Sequence, residues 1–181
     1  MKTIITSATA VLLLLASCQK PEEINSHYAS SDCTTEKCEC LPGYAGDYCD
    51  VPLFPTSVMI KRIEINSFPA LNNGESWDEY IGAPDVYFKI THMHDLVYES
   101  DVVFQDAEAD ECLKFKSLQI DLSDVIGEYR LRLLDQDVDE KTFEIIEDIY
   151  FNPHVKDNGF PDTLQLREGE TAATLYLSYT F

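Results

Sequence analysis

From residue 51 onward, apolar and polar positions alternate in short runs at 58–66, 85–92, 96–104, 112–120, 128–134, 145–151 and 172–181. A period of two sends successive side chains to opposite faces of an extended backbone, so each run predicts a strand with one face in a core. The last run, A-A-T-L-Y-L-S-Y-T-F, is the clearest, being both alternating and rich in aromatic and β-branched residues. No stretch of useful length repeats its apolar positions at 3.6, which predicts an all-β domain over 51–181. Many short strands in a span of that size predict an antiparallel two-sheet sandwich whose functional residues sit on loops gathered at its ends.

One run leads straight into acid. Tyr129, Leu131 and Leu133 are followed at the same parity by Asp135, Asp137 and Asp139. While the backbone stays extended, all three carboxylates lie on one side. Two like charges 4 Å apart repel by about 1 kcal/mol in water and more near a protein surface. Such a strand end is either fully solvated or suited to a cation. Asp78 and Asp85 bracket an earlier loop that also runs into a strand. Acidic loops at strand ends suit a hard cation with oxygen ligands. The competing reading is a solvated acidic surface in an acidic protein.

The charge supports acid as a general theme. The 181 residues carry 33 Asp and Glu against 13 Lys and Arg, a formal charge of −20 and a pI near 4.3. Nucleic acid is excluded as a partner, because phosphate neutralisation needs basic clusters. Direct attraction to an anionic membrane needs a bound divalent cation to invert the local sign. The acid is spread between apolar runs, which argues against disorder throughout.

Residues 1–17 open with Lys2, pass through the apolar run A-T-A-V-L-L-L-L-A and close on small residues. This predicts a secretory signal peptide, too short to span a bilayer. Leu15-Ala16-Ser17-Cys18 resembles the bacterial lipobox, which implies acylation of Cys18 and a mature chain beginning there. Lipid chains contribute about 0.8 kcal/mol per buried CH₂, so several chains would anchor the protein in a bilayer without a transmembrane helix. Gln19-Lys20-Pro21-Glu22-Glu23 resembles the surface-export signal of Bacteroidetes-type lipoproteins, which implies an outer-membrane lipoprotein on the cell surface, with the periplasmic face as the alternative. Residues 18–32 read as a polar linker.

Cys33, Cys38, Cys40 and Cys49 follow within 33–50. In an exported chain they predict disulfides, and four cysteines allow three connectivities. The segment C-E-C-L-P-G-Y-A-G-D-Y-C resembles the C-terminal half of an EGF-like module, truncated to four cysteines. Gly43 and Gly46 suit its tight hairpin. The resemblance implies a Cys40–Cys49 bridge and leaves Cys33 with Cys38; the module reads as a recognition element or as a stapled spacer. Cys112 begins an alternating run with no His or cationic setting to activate it, and reads as a buried thiol.

The acidic loops carry a second resemblance. Asp78-Glu-Tyr-Ile-Gly-Ala-Pro-Asp85-Val-Tyr-Phe-Lys-Ile is similar to the first calcium loop of a C2 domain, with Tyr87 and Lys89 in register, Val86 in place of Pro and one extra residue. Leu133-Leu-Asp135-Gln-Asp137 resembles the third such loop. The resemblance implies calcium held by Asp78, Asp85, Asp135 and Asp137. The fifth ligand of the family would fall near Phe143, so Asp139, Glu140 or Glu144 must substitute, and Asp139 is the choice.

Other candidates carry less. His92 and His94 could share a strand face and take a transition metal, but no third ligand follows. Trp77 and Tyr80 flank Asp78 and either cap the core or meet a lipid or sugar. Asp106, Glu108, Asp110 and Glu111 read as a solvated loop. No nucleophile–base pair, glycosidase carboxylate pair or phosphate-cradling glycine loop can be placed, so no enzyme is expected. The expectation is a calcium-dependent binding or adhesion module with a membrane, glycan or protein ligand at the acidic loops. The alternative is a structural spacer or accessory subunit of an envelope complex.

Overall fold

The computed structural model describes residues 40–78, 82–136, 143–154 and 160–181; Cys18, Cys33, Cys38, Tyr80, Asp137 and Asp139 lie outside them. The described residues include no helix. A small hairpin pairs β1 (Tyr44–Ala45) with β2 (Val51–Pro52). The remaining strands are β3 (Ser57–Ser67), β4 (Val86–His92), β5 (Asp95–Glu99), β6 (Leu113–Phe115), β7 (Ile120–Leu122), β8 (Tyr129–Gln136), β9 (Phe143–Phe151), β10 (Thr163–Glu168) and β11 (Thr171–Thr180). They form two antiparallel sheets. One runs β10-β11-β3-β6, with β7 also on β3, and the other runs β5-β4-β8-β9. The architecture is the two-sheet sandwich that the alternation predicts.

The inward positions of each strand meet between the sheets. Ile60, Ile63, Leu113, Phe115 and Leu175 of the first sheet and Phe88, Ile90, Leu131 and Leu133 of the second are all buried. Phe88 meets Phe115 edge-on across the gap, with centroids 4.7 Å apart, and Phe104 packs edge-on against the same ring at 4.9 Å. Burial of this kind contributes roughly 25 cal/mol per Å² of apolar surface, which is why the alternation decides the fold.

Three departures from strict alternation have local causes. The run 112–120 is two strands, because β3 carries an extra residue at Lys61, where the register to β11 shifts. The Leu118 amide donates to the Lys61 carbonyl, and Ser117 adopts a φ of 59° to make the break. The run 96–104 ends as a strand at Glu99, where the Ser100 hydroxyl donates to the Val102 carbonyl before Phe104 rejoins Val86. Strand β10 was not expected: it offers only Leu164 and Leu166 as apolar positions and lies at the edge of its sheet.

The long strands give the sandwich two ends. The start of β4, the end of β8 and the start of β9 lie at one, because Val86 pairs with Asp135 and Gln136 with Phe143. The end of β3 is there too, since Asn72 just beyond it bonds Glu144. The other end holds the start of β3 against the end of β11, through Ser57 and Thr180.

Candidate functional site

The acidic end is built on Asp85 and Asp135. Asp135 keeps the parity of Tyr129, Leu131 and Leu133, so it points into the end of the core and is fully buried. Its Oδ1 accepts the Asp85 amide at 2.6 Å, and the Asp85 carbonyl in turn accepts the Gln136 amide at 3.0 Å. Asp85 is half-buried, and its own Oδ1 accepts the amide of Asp106 at 2.9 Å, where Asp106 takes a φ of 49°. Two carboxylates therefore tie three chain segments together through main-chain amides. Charge-assisted bonds of this type are stronger than neutral ones, contributing roughly 1.5–3 kcal/mol.

Asp78 stands across the same loop. A Cβ added at Gly82 would run into the Asp78 carboxylate, so the glycine is what lets that side chain lie against the backbone. The Ser76 hydroxyl donates to the Gly82 carbonyl at 2.9 Å and closes the loop from the other side. Trp77 is 6% exposed and donates its indole N–H to the Pro69 carbonyl at 3.0 Å, so it caps the core. Of the expected calcium ligands, the structure brings Asp85 and Asp135 together and places Asp78 on the adjoining loop. Among the described residues, no group of three or more His, Cys, Asp or Glu is arranged to hold a metal.

The opposite end is closed by disulfide and aromatic rings. Cys40 and Cys49 are bridged, the pairing implied by the EGF-like resemblance, and Cys49 is fully buried. Gly43 and Gly46 hold φ values of 92° and 93° in the hairpin. Gly43 packs so closely on the sandwich that an added Cβ would lie 2.5 Å from the Phe160 ring and 2.6 Å from Phe181. Phe160 is the hub: Tyr44 meets it edge-on at 5.4 Å, Phe181 at 4.8 Å and Tyr179 at 5.5 Å, and His154 stacks on it at 5.5 Å. Burial pushes the His154 imidazole below its usual value and, with Asp162 nearby, the Tyr179 phenol up to about 12. Sequence reasoning missed this cluster; the density of Phe and Tyr after residue 150 was the one signal pointing to it.

Two other expectations change. His92 and His94 do not share a strand face, because β4 ends at His92 and Met93 turns the chain with a φ of 54°. His92 stacks on Tyr129 and sets its Nε2 3.2 Å from Asp124. Cys112 is exposed rather than buried, because it precedes β6 at the parity opposite to Leu113 and Phe115.

No protein-family model matches the chain, and no curated protein matches it. Solved structures do match. One is the first of the C2 domains (domain A) of plant Extended Synaptotagmin 1, 16% identical, with a TM-score of 0.41, covering 70% of this chain and 96% of that one. The sandwich stands on its own strand pairing, and a likeness at that level adds no functional argument.

Proposed function

We propose that this chain is a membrane-tethered binding module, anchored through acylated Cys18 at the surface of an outer membrane and engaging its ligand through a calcium ion at the acidic end. The observation that supports it is the convergence of Asp85 and Asp135 where β4 begins and β8 ends, with Asp78 on the adjoining loop. These are positions at which the sequence resembles C2 calcium loops. Ionised carboxylates crowded at the end of a core repel one another, and a divalent cation held by oxygen ligands relieves that repulsion while presenting positive charge to a phosphate or carboxylate on the ligand. Asp137 and Asp139 would complete the set. The disulfide-closed hairpin packs at the far end, which puts the stretch nearest the proposed anchor away from the acidic loops.

A second reading has its own support. Asp135 and Asp85 already serve as acceptors that tie loops together, a purely structural task. On that reading the sandwich is a spacer or accessory subunit. A calcium titration of thermal unfolding separates the two, with Asp85→Asn and Asp78→Asn variants beside the parent chain. A site of extracellular strength, about 10⁻⁴–10⁻³ M, stabilises the fold by roughly 0.4–1.4 kcal/mol at about 1 mM calcium. The binding reading expects a saturable rise in Tm that both variants lose. A flat Tm in all three proteins leaves the structural reading standing.

A further inference from the structure

We propose that the cleft beside the first half of β9 binds an extended, basic segment of a partner protein, which adds as a strand to the edge of the second sheet. Strand β9 is the last strand of that sheet, and among the described residues it hydrogen-bonds to β8 alone, although β10 of the other sheet lies alongside it and the turn at Gly169 sits against Glu147. Its register shifts between Leu133 and Leu134, which makes Ile146 an extra residue and turns it inward at 7% exposure, while Ile145 is 48% exposed. Beside this edge lies a cleft of about 630 Å³, floored by Trp77, Ile145 and Ile146 and overhung by the Asn73–Gly74 hairpin with the exposed Leu71. The volume falls within the range of ordinary binding clefts. An unpaired strand edge offers main-chain donors and acceptors for an added strand, and alternate side chains of the incoming segment enter the adjoining cleft.

Charge selects the occupant. No Lys or Arg lines the cleft, Glu170 does, and Glu144 stands on the same strand edge. A second copy of this chain would bring another −20 against the same rim, so edge-to-edge self-pairing is opposed. A segment that alternates apolar with Lys or Arg satisfies floor, edge and rim together. The cleft adjoins the carboxylate junction, since Glu144 is the cross-strand partner of Asp135, but its apolar lining and strand edge need no cation.

Trp77 is the single tryptophan of the chain and sits in the cleft, so its fluorescence reports occupancy directly. The full chain is titrated with a capped eight-residue peptide alternating Val and Lys, in calcium and in chelator. Two controls are run: the same peptide with alternate amides N-methylated, and one with Glu in place of Lys. The expected result is a saturable change with the Val–Lys peptide that chelator leaves intact. N-methylation weakens it at least tenfold and the Glu peptide produces none. Ile145→Lys weakens binding at least tenfold with its melting curve retained; if that variant fails to fold, Leu71→Lys on the hairpin serves in its place. Equal binding of the N-methylated peptide reduces the effect to bulk charge attraction and overturns the proposal. So does undiminished binding by a folded cleft variant, or no saturable change with the Val–Lys peptide.

Discussion

The two ends of the sandwich are closed by opposite chemistry. At the disulfide end, rings from separate parts of the chain gather on Phe160, and Gly43 brings a hairpin backbone into direct contact with them. At the acidic end, carboxylates accept main-chain amides, and the Trp77 ring is spent on capping the core. Ring packing is non-directional and collects area, so it holds a separate piece of chain in place. Carboxylate–amide bonds are directional and fix particular loop amides in place. On the proposed function, the first end faces the anchor and the second meets the ligand.

Breaking the disulfide end has the largest effect. Phe160→Ala removes the ring that Tyr44, Tyr179, Phe181 and His154 share. Phe→Ala in a full core costs about 3–5 kcal/mol, and this half-buried position costs about 2–3 kcal/mol. The hairpin should also come loose, so the Cys40–Cys49 bridge should be reduced faster by dithiothreitol. Thermal unfolding and a reduction time course check the two parts. Unchanged reduction kinetics in a destabilised variant show that the hairpin does not depend on the ring cluster.

The acidic end should respond in a graded way. Asp135→Ala deprives the Asp85 amide of its acceptor and costs roughly 1–3 kcal/mol. Asp135→Asn keeps an acceptor oxygen in the same place, so it should lose less than half as much. Urea unfolding in the absence of calcium measures both. Equal losses rule out the hydrogen bond as the reason this residue matters, and point to its charge.

Much of this was written in parity. Tyr129, Leu131 and Leu133 are buried, and Asp135 shares their spacing, so its place at the end of the core could be read from the sequence. Strands β3, β8 and β11 were legible for the same reason. The split of β6 from β7 was not, because its cause is the extra residue at Lys61 on a neighbouring strand. Strand β10 hid behind having only two apolar positions. The disulfide end was half legible: the cysteine and glycine spacing marks a hairpin, but Phe160 and His154 come from far along the chain and carry no local pattern. The meeting of Asp85 with Asp106 likewise depends on strand order, which alternation does not encode.

The smallest effect, and the one most specific to the comparison, is in pH. His154 lies against Phe160 and Phe54, and burial lowers its pKa below the ordinary 6.5. A folded value below the unfolded one means that the unfolded chain takes up the proton first as pH falls. The stabilising contribution is therefore whole above pH 6.5 and is lost as pH drops through the folded value. Carboxylates titrate mostly lower, near 4, so the interval from pH 7 to pH 5 isolates imidazole. Every other histidine is common to the parent and His154→Phe, so the comparison isolates this one position. The variant keeps an aromatic ring on Phe160 and removes the proton site, so its Tm should fall less than the parent's between pH 7 and pH 5. Parallel Tm profiles would mean that the His154 imidazole is solvated in solution, and that the disulfide end is looser than its ring distances imply.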